Sequence, residues 1–179
     1  ASLNFTNTFC IMFWVKDWGN GHDLLHFGPD QTRNSKTSFH LYCDGGYDYR
    51  LTLSDNGSTE KTYEIPLGAD LNGWQFVCFT LSGQQVRGYL NGEQKELTSD
   101  STDDGFFGGN IFSQSTDRNG LWIGRGPVNT DFDGSLALLR IGRSVPSAEQ
   151  IRKIYDDEFA LFQPNSKCTL YGTSDTVTG

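Results

Sequence analysis

Two short apolar runs bracketed by glycine, followed at once by a capped helix, restrict this chain more than any other stretch. Gly120-Leu121-Trp122-Ile123-Gly124-Arg125 and, after a polar gap, Phe132-Asp133-Gly134-Ser135-Leu136-Ala137-Leu138-Leu139-Arg140-Ile141-Gly142 read as two strands joined by a turn. Leu121 and Ile123 flank an outward Trp122, and Leu136 and Leu138 alternate with Ala137 and Leu139, the period of two that a sheet face imposes. Ser147 and Gln150 then stand at capping-box spacing behind Pro146, so a helix begins there. Its Ile151, Ile154 and Tyr155 form a stripe expected to cover one end of a sandwich.

The rest of the chain is written in short strands. Phe9 to Lys16 is apolar on both faces, as a central strand requires. Leu24, Leu25 and Phe27 make a short strand. Phe39, Leu41 and Cys43 alternate with His40 and Tyr42; then Tyr47, Tyr49, Leu51 and Leu53 alternate with Asp48, Arg50 and Thr52, a hairpin with one dry and one wet face. Lys61 to Ile65 is an edge strand stopped by Pro66. Trp74 to Leu81 belongs beside the first strand, and Ser82-Gly83 turns into Gln85 to Leu90. Asn91-Gly92 is the strongest short hairpin signal. Thr98 to Asn119, carrying Asp100, Asp103 and Asp104, is a long loop of the kind where a β scaffold keeps function or mobility.

Composition agrees: 21 Gly with 13 Phe and 7 Tyr against 1 Met suits many short strands and tight turns in a chain of 179 residues, the size of one domain. A formal charge of −8 without a basic cluster argues against nucleic acid and anionic membranes as partners. No apolar stretch is long enough to span a bilayer. Cys10, Cys43, Cys78 and Cys168 show neither CxxC spacing nor a zinc pattern with the histidines, so they read as packing residues or one disulfide pair rather than a metal site.

The run LWIG…FDGSLALLRIGRSVPSAEQI resembles the closing motif of laminin-G-like and pentraxin-like jelly rolls. Phe9-Cys10-Ile11-Met12-Phe13-Trp14-Val15-Lys16 resembles an early strand of that family, and Gly73-Trp74-Gln75-Phe76-Val77 with Val86-Arg87-Gly88-Tyr89-Leu90-Asn91-Gly92 resembles its central hairpin. The resemblance covers residues 9 to 158. It implies an all-β, antiparallel β-sandwich of the concanavalin A-like jelly-roll type with one short C-terminal helix. Residues 1–159 would form this domain and 160–179 an extension, either a packed edge strand or a linker. That extension is similar to segments that follow such jelly rolls in bacteriophage tail and tail-fibre proteins.

Fold alone does not give function, since lectins, adhesion modules and glycosidases share this one. Glycosidases on the scaffold carry an E-x-D-x-x-E or E-x-D-x-E run, which is missing here. The densest acidic triplet, Asp156-Asp157-Glu158, falls at a helix end and reads as a solvated face. With no Ser-His-Asp or Cys-His spacing, the expectation is a protein that is not an enzyme. A sugar-binding face needs rings for the apolar side of a pyranose and polar groups for its hydroxyls. Trp18, His40, Tyr42, Arg50 and Trp122 are the candidates; the plain alternative is that Trp122 and Tyr42 are covered by the long loop.

The resemblance also implies calcium, a hard cation that takes six to eight oxygens from loops. Asp131 and Asp133 lie near where pentraxins place their acidic ligands, and Asp17, Asn20 and Asp23 form a second group, Asp100, Asp103 and Asp104 a third. Turn formation is the alternative for each. In pentraxins the segments that match those around Cys10 and Cys78 each carry half of a disulfide, which implies the same pairing here. The expected function is a non-catalytic recognition module on a phage tail or tail-fibre protein, in a virion or outside the cell. It would bind a host-surface glycan, alone, as a homo-oligomer or within a larger fibre. A structural or adhesion domain without sugar binding is the alternative, and a glycoside hydrolase relative a weaker one.

Overall fold

The computed structural model describes residues 7–28, 39–44, 48–54, 60–66, 73–99, 120–125, 131–164 and 166. Its strands are β1 (Thr8–Lys16), β2 (His22–Gly28), β3 (Phe39–Asp44), β4 (Asp48–Ser54), β5 (Glu60–Ile65), β6 (Gln75–Ser82), β7 (Gln85–Leu90), β8 (Glu93–Lys95), β9 (Thr98–Ser99), β10 (Gly120–Ile123) and β11 (Ser135–Gly142), followed by the helix α1 (Ala148–Phe159) and a 3-10 turn, Ala160–Phe162. They form a five-stranded sheet, β11-β1-β6-β7-β8, packed on a six-stranded sheet, β10-β2-β3-β4-β5-β9. Every pairing is antiparallel.

The double-sided apolar pattern of β1 explains its place between β11 and β6. Phe9, Ile11, Phe13 and Val15 point into the inter-sheet core, where they meet Leu25, Phe39, Leu41, Leu51 and Leu53 of the facing sheet. Cys10, Met12 and Trp14 point the other way and pack with Phe76, Cys78, Tyr89 and Ile151 of α1. Each such side chain contributes about 1.5–3 kcal/mol by leaving water. The helix therefore lies on the outer face of the five-stranded sheet rather than over one end of the sandwich, because β1 and β6 are apolar on both sides and need a second cover. Ser147 and Gln150 make the reciprocal capping box that their spacing predicts. Asn91 and Gly92 take φ of 52° and 77°, the consecutive left-handed pair that a two-residue hairpin turn requires.

Two expectations at the closing motif are corrected. Gly120–Ile123 and Ser135–Gly142 do not form a hairpin: β10 pairs with β2 and β11 with β1, so the chain crosses between sheets. The alternation along β11 also breaks. The pairing jumps from Met12↔Arg140 to Trp14↔Ala137, and Leu138, at φ 47°, is the extra residue of a bulge. Leu136, Leu139 and Ile141 consequently pack on the core while Leu138 is 41% exposed. Ile123, expected inward beside Leu121, is also exposed.

The packed region continues past residue 159. Phe162 stacks on Trp14 with ring centroids 4.1 Å apart and lies 4.9 Å from Trp74. Residues 167–179, on which most of the expectation of a packed edge strand or linker falls, lie outside the described residues. Among the described residues no helix is long and apolar enough to cross a membrane.

Candidate functional site

The outer face of the six-stranded sheet carries two cross-strand rows of polar and aromatic residues. One row pairs Trp122 with His26, His26 with His40, His40 with Thr52 and Thr52 with Thr62. The next pairs Asp23 with Tyr42, Tyr42 with Arg50, Arg50 with Glu64 and Glu64 with Thr98. Alternation places them there, because Phe39, Leu41, Tyr49, Leu51 and Tyr63 between them all enter the core. Asp23 and His26 are three apart and would face opposite ways in a regular strand. The pairing shift between Asp23 and Leu25 puts Leu24 in a bulge, so both polar residues turn outward while Leu24 and Leu25 are both buried.

Members of both rows differ in depth. His26, His40 and Asp23 are 1–3% exposed and form a floor. Arg50 and Glu64, with side chains 23% and 17% exposed, form a rim with the half-buried Tyr42 and Trp122. On the floor, His40 Nε2 stands 2.6 Å from Asp23 Oδ1, and Tyr42 stacks over the His40 ring at 4.4 Å. Thr52 and Thr62 hydroxyls bond across 2.9 Å. Burial, reinforced by nearby His40 and partly opposed by Asp23, lowers the His26 pKa to about 4, so its imidazole is neutral near pH 7. On the rim, Arg50 Nη1 donates to Asp44 Oδ2 at 2.8 Å, and its Nε lies 3.0 Å from Glu64 Oε1, an ion pair whose angle is not that of a hydrogen bond. Burial pulls the guanidinium pKa down, yet Glu64 and Asp44 together hold it above the ordinary value. Among the described residues Asp23 Oδ2, His40 Nδ1 and Trp122 Nε1 are buried without a hydrogen-bond partner.

The structure thus brings His40, Tyr42, Arg50 and Trp122 to one face. Trp18 is elsewhere: it is 5% exposed in the inter-sheet core, stacked on Tyr49 at 5.1 Å, with its indole N–H donated to the His22 carbonyl at 2.9 Å. An indole buries more apolar area inward than a loop surface can offer. His26 and Glu64 are members of the face that the strand patterns did not single out. The signal was present for His26, which sits between Leu25 and Phe27 as His40 sits between Phe39 and Leu41.

Of the carboxylates considered for calcium, Asp23 belongs to the floor just described. Asp131 and Asp133 meet the β1–β2 connection at one end of the sandwich. Asp133 Oδ1 accepts from the Gly19 amide at 2.8 Å and lies 3.5 Å from His22 Nδ1, which donates to the Asp131 carbonyl. A Cβ at Gly19 would stand 2.4 Å from the Asp133 carboxylate, so only glycine permits this approach. Asp17, in a left-handed conformation at φ 55°, pairs with Lys16 at 3.5 Å. Among the described residues no group of three or more His, Cys, Asp or Glu is placed to hold a metal ion. Asp100, Asp103 and Asp104 lie outside the described residues.

Cys10 and Cys78 lie on adjacent strands with sulfurs 3.6 Å apart and both are thiols. Their mutual hydrogen bond, with burial, pushes the Cys78 pKa well up. Cys43 is a core residue whose thiol burial raises to about 12. The acidic triplet is only partly solvated: Asp156 and Asp157 pair with Arg152 and Lys153 one turn back, whereas Glu158 turns inward to Trp14 and Arg140.

The fold is that of a concanavalin A-like β-sandwich. The chain belongs to the Laminin_G_3 family of the concanavalin A-like lectin/glucanases superfamily, whose model matches residues 1–152. No curated protein matches it in sequence. Solved structures similar in fold include the CBM40 of the Ruminococcus gnavus IT-sialidase bound to α2,3-sialyllactose, at 19% identity and a TM-score of 0.66 over 84% of each chain. Another is a heptameric SAP-like pentraxin from Limulus polyphemus, 17% identical with a TM-score of 0.58 over 84% of this chain and 70% of that one. Domain 4 of AbnA, a GH43 extracellular arabinanase of Geobacillus stearothermophilus in complex with arabinotriose, is 19% identical with a TM-score of 0.56 over 86% of this chain and 68% of that one.

Proposed function

We propose that the chain is a non-catalytic recognition module that binds a glycan on the outer face of the six-stranded sheet. The observation that carries this is the trio Asp23 Oδ2, His40 Nδ1 and Trp122 Nε1, buried on one face without partners among the described residues. Each such atom costs about 1–3 kcal/mol unless a ligand or water meets it, and sugar hydroxyls are suited to do so. Trp122 and Tyr42 add ring surfaces for the apolar side of a pyranose. Likeness in fold to a sialidase CBM40 and an arabinanase domain, each solved with a sugar, supports the reading. The resemblance of residues 160–179 to phage tail and tail-fibre segments supports a module on a virion or outside the cell that touches a host-surface glycan.

A second reading, a structural or adhesion domain of a virion fibre without sugar binding, is favoured by the floor itself, since His26 and His40 are only 1–2% exposed. A glycan array separates the two, because a structural domain gives no saturable binding. In the array-positive case Trp122→Ala is expected to weaken binding about 10- to 100-fold, the range of an aromatic anchor, with a melting temperature close to that of the parent. A large loss of stability, with binding kept by the folded fraction, would move the site off this face.

A further inference from the structure

We propose that this face selects neutral, hydroxyl-bearing glycans over acid-capped ones, an inference that rests on the glycan-binding reading above. Recognition of a sugar carboxylate takes an unspent cation, most effectively an arginine whose planar fork meets both oxygens. Of the described residues in the two rows, Arg50 is the permanent cation, and its charge is already met by two carboxylates. Asp44 takes Nη1 at 2.8 Å from one side, and Glu64 lies 3.0 Å from Nε on the other. One positive charge held between two carboxylates leaves that part of the rim net negative. Asp23 adds a further carboxylate on the floor beside His40. Lys61 gives no relief, because it pairs with Leu53 and so belongs to the opposite parity of β5. Arg125 is exposed beyond Gly124 and outside the ladder.

Hydrogen-bond chemistry points the same way as charge. A carboxylate only accepts, whereas a hydroxyl both donates and accepts. In the tautomer whose Nε2–H donates to Asp23, His40 Nδ1 is left as an acceptor, and Asp23 Oδ2 is an acceptor as well. These two atoms call for a donor, which a sugar hydroxyl supplies and an ionised acid cannot. Trp122 Nε1–H is satisfied by either. Two acceptors, with Trp122 Nε1 and Arg50 Nε as donors, beside a negatively balanced rim therefore describe a site for neutral sugar hydroxyls, which both donate and accept.

The test is an array of matched pairs, lactose beside 3′-sialyllactose and galactan beside polygalacturonate, probed with the full chain, Glu64→Gln and Arg125→Ala at low and physiological salt. The parent is expected to retain neutral members at least about tenfold more tightly than their acidic counterparts, a difference that shrinks as salt screens it. Glu64→Gln frees Arg50 from one carboxylate and is expected to narrow that ratio about tenfold, while Arg125→Ala leaves it unchanged. Parent binding that favours the acidic member of each pair overturns the inference and leaves glycan binding standing. So does a Glu64→Gln ratio equal to the parent's in a variant that still binds and melts normally. No binding to any member removes the glycan-binding reading and the inference with it.

Discussion

The indole Nε1 of Trp14 donates to Glu158 Oε2 across 2.8 Å, joining the central strand to the last turn of the helix over a sequence separation of 144. Trp14 is fully buried, its ring stacked against Tyr155 at 5.6 Å and Phe162 at 4.1 Å, so Glu158 satisfies a donor that water cannot reach. Arg140 of β11 grips the same carboxylate through both terminal guanidinium nitrogens, Nη1 and Nη2. One glutamate therefore ties β1, β11 and α1 together.

Glu158→Ala is expected to cost about 2–3 kcal/mol, the penalty for orphaning a buried donor bonded to a charged acceptor. Glu158→Gln keeps an acceptor and should cost less. Ending the chain after Phe159 removes Phe162 from Trp14 and should lower the melting temperature and shift tryptophan emission to the red. Urea unfolding followed by fluorescence reads all three, and a truncated chain as stable as the parent would show that Phe162 only rests on the surface.

The Asp23–His40 pair is almost wholly out of water, with side chains 4% and 2% exposed. Removing one partner leaves the other buried without compensation, so His40→Ala, which orphans a carboxylate, should cost about 3–5 kcal/mol, and Asp23→Ala, which orphans an imidazole N–H, about 1–3 kcal/mol. The double variant should cost clearly less than the sum. Additive losses in a double-mutant cycle would mean that the 2.6 Å contact carries no coupling.

Stability should also fall with pH in a defined window. The His26 pKa is about 4 in the folded chain against an ordinary 6.5, so as pH drops the unfolded state takes up its proton first. The contribution is complete above pH 6.5 and lost as pH falls toward 4, roughly 1.4 kcal/mol per unit and about 3 kcal/mol in all. Urea midpoints between pH 7 and pH 4.5 should show this slope, and His26→Gln should flatten it. An unchanged slope in that variant would assign the effect to other groups.

Cys10 and Cys78 are close enough to cross-link after a small shift, their sulfurs being 3.6 Å apart. Oxidation while the chain refolds, before either thiol is buried, should join them and, by closing a loop over a separation of 68, stabilise the domain by about 4 kcal/mol in the chain-entropy model. Cys43, with its pKa near 12, should stay unmodified by maleimide at pH 8 until the chain unfolds. Thiol counts before and after denaturation, with and without oxidant, check both statements.

How far the sequence could be read depended on whether a property is local. The two faces of β1, the Asn91-Gly92 turn and the Ser147 cap each rest on a few adjacent residues, and each stands where the pattern put it. Partner choice is not local: nothing within Gly120–Ile123 or Ser135–Gly142 says that they join different sheets. Bulges are hidden for a related reason. Leu138 is as apolar as its neighbours, and only the pairing with β1 turns it outward. At the candidate face, His40, Tyr42, Arg50 and Trp122 were legible because they alternate with core residues. Asp23 looked like a loop acid because its link to His40 exists only after β2 and β3 pair. Trp18 looked exposed because its loop gives no sign of folding the indole inward.

The bulge at Leu24 lets the floor of this face tolerate an odd spacing between Asp23 and His26. A β2 drawn straight at the same length would rotate Asp23 away from His40 while His26 stayed in place, whereas loss of Leu24 alone would set Asp23 and His26 two apart and keep both on the outer face by regular alternation. With Leu24 present, the meeting of acid and imidazole therefore depends on the kink.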